Sequence, residues 1–225
     1  MNAPAPVNLF IATRNLHKAG EIRAILGEDI RYSTLDDYPG APGVIEDAST
    51  FAGNAMKKAV ELARWLAAGI SNFRFQISDC AFVLADDSGL EVDVLNGAPG
   101  VHSARFAAMD RSGDNLAANS TDPENNAKLL RLLQDVPFGK RKARFRCVIS
   151  LVEVHRSISV PEPRVFDGVC EGRIEFMPRG RNGFGYDPLF VPDGFEQTFA
   201  ELGEDVKNRL SHRARALEKL KASLR

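Results

Sequence analysis

The stretch with the clearest chemical content is a short apolar run that leads directly into two carboxylates and a hydroxyl, Ala81-Phe-Val-Leu-Ala-Asp86-Asp87-Ser88. An apolar run of this length predicts a strand buried on both faces, and polar residues at the carboxyl end of such a strand lie where open α/β sheets bind ligands. Neighbouring carboxylates repel each other when they are partly buried, so they need a cation or a proton between them. Mg²⁺ fits, because it binds one or two carboxylates together with water and substrate phosphates. A turn of the Asx type that closes the strand fits the same residues, and the stretch alone leaves both interpretations open.

A second candidate site follows the first predicted strand, residues 7–12. Thr13 and Asn15 come next, and apolar residues at helical spacing then predict a helix over residues 16–26 with Lys18 in its first turn. A helix that begins directly after a strand attracts phosphate through its free N–H groups and its dipole. The stretch lacks the glycines of a Walker A loop. An ordinary Thr or Asn cap beside a solvated lysine is the competing interpretation.

A third candidate site lies in the last quarter of the chain. Residues 179–188 contain three glycines and two aromatic residues, and glycines allow a backbone to come close to a ligand. Lys207 follows, and Ser211 is a good N-cap for a terminal helix, which puts His212 and Arg213 in its first turn. Because a cation at that position opposes the helix dipole, an anionic or carbonyl-bearing partner is expected nearby. Taken singly, Arg213 is more often a surface residue and His212 is more often a satisfied polar residue.

Composition and charge disfavour several classes of protein. The chain has 225 residues and a net charge of −1, which disfavours a broad nucleic-acid or anionic-membrane surface. No stretch approaches the roughly 18 apolar residues of a transmembrane helix, and residues 1–6 have the character of a loose tail rather than a signal peptide. Cys80, Cys147 and Cys170 are too widely spaced for a metal site and predict buried free thiols in a reducing compartment. We therefore expect a cytoplasmic protein.

The remaining pattern predicts how these residues are positioned. Residues 143–154 alternate in the manner of a strand, and residues 165–176 are expected to pair with them, so the sheet should be mixed rather than purely parallel. Gly168 and Gly172 suggest bulges or bends in the second strand. Together with flanking helices, this predicts an α/β fold in which residues 1–225 form one large domain or two lobes. The other predicted elements are a strand over 30–35, a helix from Phe51 to about Ala68, a surface loop over 69–79, a half-exposed strand over 90–94, a loop over 109–122 and a short helix that Asp122 caps.

Six short motifs occur along the chain, in this order: Thr13-x-Asn15-x-x-Lys18-x-x-Glu21, Phe51-x-x-Asn54-Ala55-x-x-Lys58-Ala59, Ala85-Asp-Asp-Ser-Gly-Leu90-x-Val92, Leu95-x-Gly97-x-Pro99-Gly100-x-x-Ser103-Ala104-Arg105, Gly183-Phe-Gly-Tyr-Asp-Pro188 and Ser211-His-Arg213-x-Arg215-Ala-Leu217. In these motifs, which extend from residue 13 to residue 217, the chain resembles the inosine triphosphate pyrophosphatase family. Members of that family are hydrolases that convert non-standard purine nucleoside triphosphates (ITP, dITP and XTP) to the monophosphate and pyrophosphate, and so remove them from the nucleotide pool.

The resemblance implies an elongated, two-lobed α/β fold with a mixed sheet, a central substrate cleft and a homodimer. It also implies a Mg²⁺ cofactor, with Asp87 as proton acceptor and metal ligand and Glu46 as the second metal ligand. Asp86 is expected to support the same site. Hydrolysis would fall between the α and β phosphates, and Lys18 and Lys207 would offset the negative charge of the triphosphate.

Substrate contacts are implied for both ends of the nucleotide. Phe184 or Tyr186 would stack on the purine, while backbone N–H groups and the His212–Arg213 pair would donate to O6 of hypoxanthine or xanthine, where adenine carries an amine. The full set of implied substrate-binding residues is Thr13, Arg14, Asn15, Leu16, His17, Lys18, Ser88, Phe184, Gly185, Tyr186, Asp187, Lys207, His212 and Arg213.

Three alternatives stay open at this point. A nucleotide-binding sensor would make the same contacts without turnover, although the intact Glu46, Asp86 and Asp87 speak against it. A house-cleaning pyrophosphatase for pyrimidine or methylated nucleotides is the nearest enzymatic alternative. A nucleic-acid-binding module is disfavoured by the net charge of −1; it would use Arg144, Arg146, Arg179 and Arg181.

Overall fold

The computed structural model describes residues 7–71, 81–110, 119–154 and 162–223. The strands are β1 (Val7–Ile11), β2 (Ile30–Thr34), β3 (Ala81–Val92), β4 (Lys142–Val154), β5 (Arg164–Ile174) and β6 (Phe190–Pro192). The helices are α1 (Leu16–Leu26), α2 (Phe51–Ser71), α3 (Asp122–Leu132), α4 (Phe199–Leu202), α5 (Glu204–Leu210) and α6 (His212–Ser223).

Within the described part of the chain, the strands form one sheet in the order β2-β1-β3-β4-β5-β6. β1 runs parallel to both β2 and β3, whereas β5 and β6 are antiparallel. β4 and β5 are neighbours, as the sequence predicts. The predicted α/β fold with a mixed sheet and flanking helices is therefore confirmed.

The chain divides into two compact units. Unit 1 comprises Met1–Asp87, Val148–Asp167 and Ala216–Arg225, and unit 2 comprises Ser88–Cys147 and Gly168–Arg215. Each has its own apolar core: α2 packs on β1 and β3 in unit 1, and aromatic side chains of β4, β6 and α4 pack together in unit 2. The central cleft implied by the family resemblance stays a prediction.

Strand geometry in unit 1 determines which side chains reach which helix. α1 links β1 to β2 and α2 links β2 to β3; because β2 and β3 lie on opposite sides of β1, right-handed crossovers place the two helices on opposite faces of the sheet. Val83 and Ala85 pack in the core against α2. Since successive side chains of a strand alternate between faces, Asp87 belongs to the face of α2 and Asp86 to the face of α1.

The structure corrects the prediction for the central stretch. β3 does not end at Ala85 but continues through both carboxylates to Val92, and a 3₁₀ turn over Asp93–Leu95 follows it. The short strand, the Asx turn and the separate strand over 90–94 were therefore wrong. Asp, Ser and Gly are poor strand formers in isolation. β1 pairs only with Ala81–Leu84 of β3, but β3 has β4 as its other neighbour in the sheet, and such context outweighs local propensity.

Smaller corrections concern the ends of other elements. α2 continues to Ser71, so the first residues of the predicted loop over 69–79 are helical, and the rest of that prediction lies outside the described residues. Thr121, not Asp122, is the N-cap of α3. Gly172 pairs with Pro192 in the regular register of β5 and β6, and a Cβ at this glycine would overlap the carbonyl oxygen of Val191, so it allows close approach of β6.

Several other predictions concern single residues or terminal segments. Cys147 and Cys170 are buried free thiols, as expected. Ser211 caps α6, because its Oγ accepts from the N–H of Ala214 at 3.2 Å. Residues 1–6, Cys80 and most of the predicted loop over 109–122 lie outside the described residues. Of the helices that are described, none is long and apolar enough to cross a membrane.

Candidate active site

Six side chains of unit 1 form a group that we call the acidic cluster: Lys18, Glu46, Asn54, Lys58, Asp86 and Asp87. α1 contributes Lys18 from its first turn, and the loop before α2 contributes Glu46. Asn54 and Lys58 lie on one face of α2 because they are one turn apart. β3 contributes both aspartates. Three distant parts of the chain, α1, the loop with α2, and β3, therefore meet at this cluster.

Asp86 forms an ion pair with Lys18 of α1. Lys18 Nζ lies 2.5 Å from Asp86 Oδ1, and the Asp86 side chain is only 2% exposed. Lys58 Nζ donates to the backbone carbonyl of Asp86 at 3.2 Å. The solvated-lysine alternative is thus wrong, and Asp86, which was expected only to support the site, fixes an ammonium group at the start of α1.

Asp87 is bound on the other face of the sheet by an amide. Its Oδ2 accepts from Asn54 Nδ2 at 3.0 Å, while Asn54 Oδ1 accepts from the N–H of Ala48 at 2.9 Å, in the loop that also carries Glu46. Burial raises the pKa of Asp87 to about 6, against the lowering effects of Lys18 and of the Asn54 hydrogen bond. A carboxylate with such a pKa is suited to accept a proton near neutral pH.

Glu46 lies at the rim of a small cavity. Its Oε1 is 2.7 Å from Lys58 Nζ, and its side chain is 34% exposed. The cavity has a volume of about 230 Å³ and is lined by both residues together with Thr13 and Arg14. A water takes up about 30 Å³, so this space accommodates a phosphate group with several waters. Its apolar wall is formed by Leu35, Pro42, Val44 and Leu62.

The turn between β1 and α1 is closed by its own side chains. Thr13 Oγ1 accepts from the N–H of Asn15 at 3.1 Å, and Asn15 Oδ1 accepts from the N–H groups of His17 at 2.9 Å and Lys18 at 3.1 Å. The asparagine cap considered as an alternative is therefore present. A phosphate at this helix start would share those N–H groups with Asn15 and would not find them free. The exposed residues of the turn are Arg14, Asn15, Leu16 and His17.

The donor set of the acidic cluster fits a Mg²⁺ ion. The charge of Glu46 raises the pKa of Asp87, and a divalent cation between the two carboxylates would remove this repulsion. Among the residues described, no group of three or more His, Cys, Asp or Glu side chains is arranged to hold a metal. Mg²⁺ binds one or two carboxylates and fills the rest of its shell with water and substrate phosphates.

A second group, in unit 2, is called the loop cluster: Ser88, Phe184, Asp187, Lys207 and Arg213. Lys207 Nζ lies 2.5 Å from Asp187 Oδ2 in a buried pair, and 4.3 Å from the centroid of the Phe184 ring. Arg213 is 1% exposed; its Nη2 donates to Ser88 Oγ at 2.9 Å, and its guanidinium carbon lies 5.9 Å from the Phe184 centroid. Two cations are thus fixed beside one aromatic ring.

The Phe184–Asp187 segment is a tight turn closed by the buried aspartate. The N–H of Asp187 donates to the carbonyl of Phe184 at 3.2 Å, and Asp187 Oδ2 accepts from the N–H of Phe184 at 2.9 Å. Gly183 has φ 76°, and a Cβ at this position would overlap the Asp187 carboxylate. Only glycine fits there.

Tyr186 and His212 lie in the core of unit 2, each 4% exposed. The Tyr186 hydroxyl donates to the carbonyl of Ser103 at 2.9 Å, and burial raises its pKa. The His212 ring stacks on Phe145 with centroids 4.8 Å apart. Of the two aromatics expected to stack on a purine, Phe184 is the one that is partly exposed.

Sequence reasoning assigned no function to two members of the acidic cluster, Asn54 and Lys58. Both stand in the second of the six motifs, and their spacing puts them on the polar face of a predicted helix. That polar face was the signal, but only the structure shows that it meets Asp87 and Glu46.

Three of the four arginines considered for nucleic-acid binding, Arg144, Arg146 and Arg179, have acidic neighbours. Arg144 lies 2.9 Å from Asp93 and 3.0 Å from Glu171, and Arg179 lies 3.5 Å from Glu175. Arginines neutralised in this way contribute little to phosphate binding. This speaks against the nucleic-acid alternative.

Comparisons with known proteins agree over nearly the whole chain. The Ham1 family model matches residues 9–223. The dITP/XTP pyrophosphatase of Opitutus terrae is 44% identical, with 95% of this chain and 97% of that protein covered, and that of Shouchella clausii is 42% identical, with 96% of each covered. The solved structure of a HAM1 protein from Coxiella burnetii superposes with a TM-score of 0.76 at 36% identity, covering 97% of this chain and 98% of that one. The chain therefore belongs to the Ham1 family.

Proposed function

We propose that this protein hydrolyses the non-standard purine nucleoside triphosphates ITP, dITP and XTP to the monophosphate and pyrophosphate, with Mg²⁺ as cofactor. The observation that carries the proposal is the acidic cluster, in which a buried carboxylate with a raised pKa lies among two lysines and a second carboxylate. The names of the relatives, dITP/XTP pyrophosphatase, support the choice of substrate.

The acidic cluster would receive the triphosphate. Lys18 is fixed at a helix start whose dipole favours negative charge, and Lys58 adds a second ammonium group beside the cavity. Glu46 and Asp87 would hold the Mg²⁺ ion, which when bound withdraws charge from phosphate oxygens and favours ionisation of a water. Asp87 would take the proton of the attacking water as the anhydride bond between the α and β phosphates breaks and pyrophosphate leaves.

The loop cluster would select the base. Phe184 offers a partly exposed ring for stacking, and Arg213 supplies donors for a carbonyl oxygen at purine position 6. Adenine carries an amine at that position, so its binding would leave buried donors without an acceptor. Sites built on such hydrogen bonds discriminate by about 10⁴-fold.

A substrate panel tests this function. With Mg²⁺ present, we expect ITP, dITP and XTP to yield monophosphate and pyrophosphate at rates far above those for ATP and GTP. Release of orthophosphate instead of pyrophosphate would contradict cleavage between the α and β phosphates. Tight binding of ITP without any product would identify a nucleotide sensor, and preference for a pyrimidine or methylated triphosphate would identify a different house-cleaning enzyme.

We further propose that the protein works in the cytoplasm as a homodimer, as the family resemblance implies. The buried free thiols Cys147 and Cys170 support a reducing compartment. Sedimentation at the mass of two chains would support the dimer, and sedimentation at the mass of one chain at micromolar concentration would contradict it.

A further inference from the structure

Helix α3 forms hydrogen bonds to the turn that carries Phe184. Gly185 is the second residue of this turn and has φ 62°. The hydrogen bond that closes the turn runs from the N–H of Asp187 to the carbonyl of Phe184, so the polar groups of Gly185 lie outside it. The N–H and the carbonyl of Gly185 do not take part in the hydrogen bond of the turn, so they need partners elsewhere.

Both polar groups of Gly185 are bound by one face of α3. The N–H of Gly185 donates to Asp122 Oδ2 at 2.6 Å, and Asn126 Nδ2 donates to the carbonyl of Gly185 at 3.0 Å. Asp122 and Asn126 are four residues apart, so their side chains are neighbours on the helix surface. The acceptor on Asp122 and the donor on Asn126 are therefore spaced to bind the N–H and the carbonyl of the same residue, Gly185.

The first turn of α3 is arranged so that Asp122 is available for this bond. Thr121 is the N-cap, and its Oγ1 and the Glu124 side chain form a capping box. Because Thr121 serves as the cap, the Asp122 carboxylate does not. A carboxylate that accepts from a backbone N–H makes a charge-assisted bond, which is stronger than a bond between neutral groups.

The orientation of the Asn126 amide follows from its partner. The carbonyl oxygen of Gly185 accepts, so the amide must present Nδ2 and not Oδ1 to it. Asn126 is 8% exposed, and its Oδ1 has no hydrogen-bond partner among the described residues. An asparagine that is buried with one atom unsatisfied is costly for the fold, which indicates that its bond to Gly185 serves the loop.

We propose that Asp122 and Asn126 are positioning residues that set purine selectivity by fixing Gly185, and with it the turn that presents Phe184. The inference rests on the proposed function, because it assigns base selection to the loop cluster. The acidic cluster lies on β3, α1, α2 and the loop before α2. Loss of the hydrogen bonds from α3 to Gly185 should therefore affect base discrimination and leave phosphate binding unchanged.

The test compares Asn126→Ala and Asp122→Ala with a matched control, Asn125→Ala. Asn125 is the adjacent buried asparagine of α3, but it bonds the N–H of Ala107 and the carbonyl of Ala104 instead of Gly185. The readouts are kcat and KM for ITP and ATP with Mg²⁺, inhibition by pyrophosphate, and amide hydrogen exchange at Gly185. The full chain is used throughout.

We expect Asn126→Ala to lower the ITP/ATP ratio of kcat/KM about fivefold and Asp122→Ala to lower it about tenfold or more, the sizes expected for a neutral and a charged hydrogen bond. KM for ITP should rise more than kcat falls, exchange at Gly185 should accelerate, and inhibition by pyrophosphate should not change. Asp122→Asn should restore most of the ratio because it keeps an acceptor oxygen. Asn126→Asp should not, because it places an oxygen against the Gly185 carbonyl.

An ITP/ATP ratio that stays at the wild-type value in all α3 variants would overturn the inference, as would an equal loss in Asn125→Ala and Asn126→Ala. If Asn126→Ala does not fold, the exposed Asp122 variants decide the matter alone. A wild-type protein that does not prefer ITP over ATP refutes the proposed function itself, and the inference with it. If the wild type hydrolyses ITP selectively and the α3 variants keep the wild-type ITP/ATP ratio, only the inference is refuted.

Discussion

The acidic cluster and the loop cluster are held in place in different ways. In the acidic cluster, the side chains come mostly from regular elements and bind one another directly: Lys18 of α1 pairs with Asp86 of β3, and Asn54 of α2 binds Asp87 of β3. In the loop cluster, Phe184 lies on a tight turn whose shape is fixed by side chains from other segments. The charged side chains of the acidic cluster thus lie mostly on strands and helices, whereas Phe184 lies on a loop that the scaffold positions.

The largest effect is expected from the acidic cluster, in which Asp87 is the proposed proton acceptor. Asp87→Asn should lower kcat by about 10³-fold, since general base catalysis contributes about 10²–10⁴-fold. Binding of ITP should persist, because Lys18 and Lys58 stay in place. The measurement is pyrophosphate release alongside calorimetric binding of ITP. Near-normal turnover would remove Asp87 from the role of base.

The loop cluster should respond to a broken ion pair by losing stability. Lys207→Met removes the ammonium group that lies against the buried Asp187 carboxylate, and removing one member of a buried ion pair costs about 3–5 kcal/mol. The double variant with Asp187→Asn should recover part of this free energy of unfolding, because no charge is then left uncompensated. Urea denaturation of the single and double variants gives both values. Equal stability of the two would show that the pair is not coupled as the structure has it.

The preference for ITP over ATP should depend on the loop cluster and not on the acidic cluster. Arg213→Ala should lower kcat/KM for ITP more than for ATP, by about tenfold or more, since a hydrogen bond from a charged group is worth about 1.5–3 kcal/mol. Ser88→Ala removes only the oxygen to which Arg213 donates, so its effect should be smaller and in the same direction. Equal losses with both nucleotides would contradict base selection by Arg213.

The buried carboxylate predicts a pH dependence of stability for the metal-free protein. Burial raises the pKa of Asp87 from 3.8 to about 6, so the folded state holds its proton more tightly than the unfolded state. This contribution to the free energy of unfolding is fully present below pH 3.8 and is lost as the pH rises through about 6. At about 1.4 kcal/mol per pKa unit, Asp87→Asn should stabilise the protein in EDTA by about 1–3 kcal/mol at pH 8 and by little at pH 4. A stability difference that does not change between these pH values would contradict the shift.

The smallest effect is expected at the rim of the acidic cluster. Glu46 is about one third exposed, and water screens its charge. Glu46→Gln should raise the Mg²⁺ concentration for half-maximal activity severalfold and leave the ITP/ATP ratio unchanged. A metal titration with each nucleotide measures both, and an unaltered midpoint would point to a different second ligand.

The elements of the fold could largely be predicted from periodicity, while their boundaries failed where context outweighs propensity. The helix over 16–26 was found as predicted, because its apolar spacing and the glycine that ends it are local signals. The predicted strand ended at Ala85, because Asp, Ser and Gly discourage a strand and the local sequence does not show that β4 lies beside them. α3 was given the wrong cap, since Thr121 and Asp122 are equally good cap residues in isolation.

By itself, the sequence determined which kinds of groups this protein has available: neighbouring carboxylates, a strand that leads into a helix with an early lysine, and a glycine-rich aromatic loop before a basic helix start. These follow from residue type and short spacing, which act over a few residues. Only the tertiary structure decided that Asp86 and Asp87 serve different partners, that Tyr186 is buried while Phe184 is partly exposed, and that α3 binds Gly185 from 63 and 59 residues away. Such pairings depend on the faces that the strands and helices present to one another when they pack, and no local pattern in the chain contains that information.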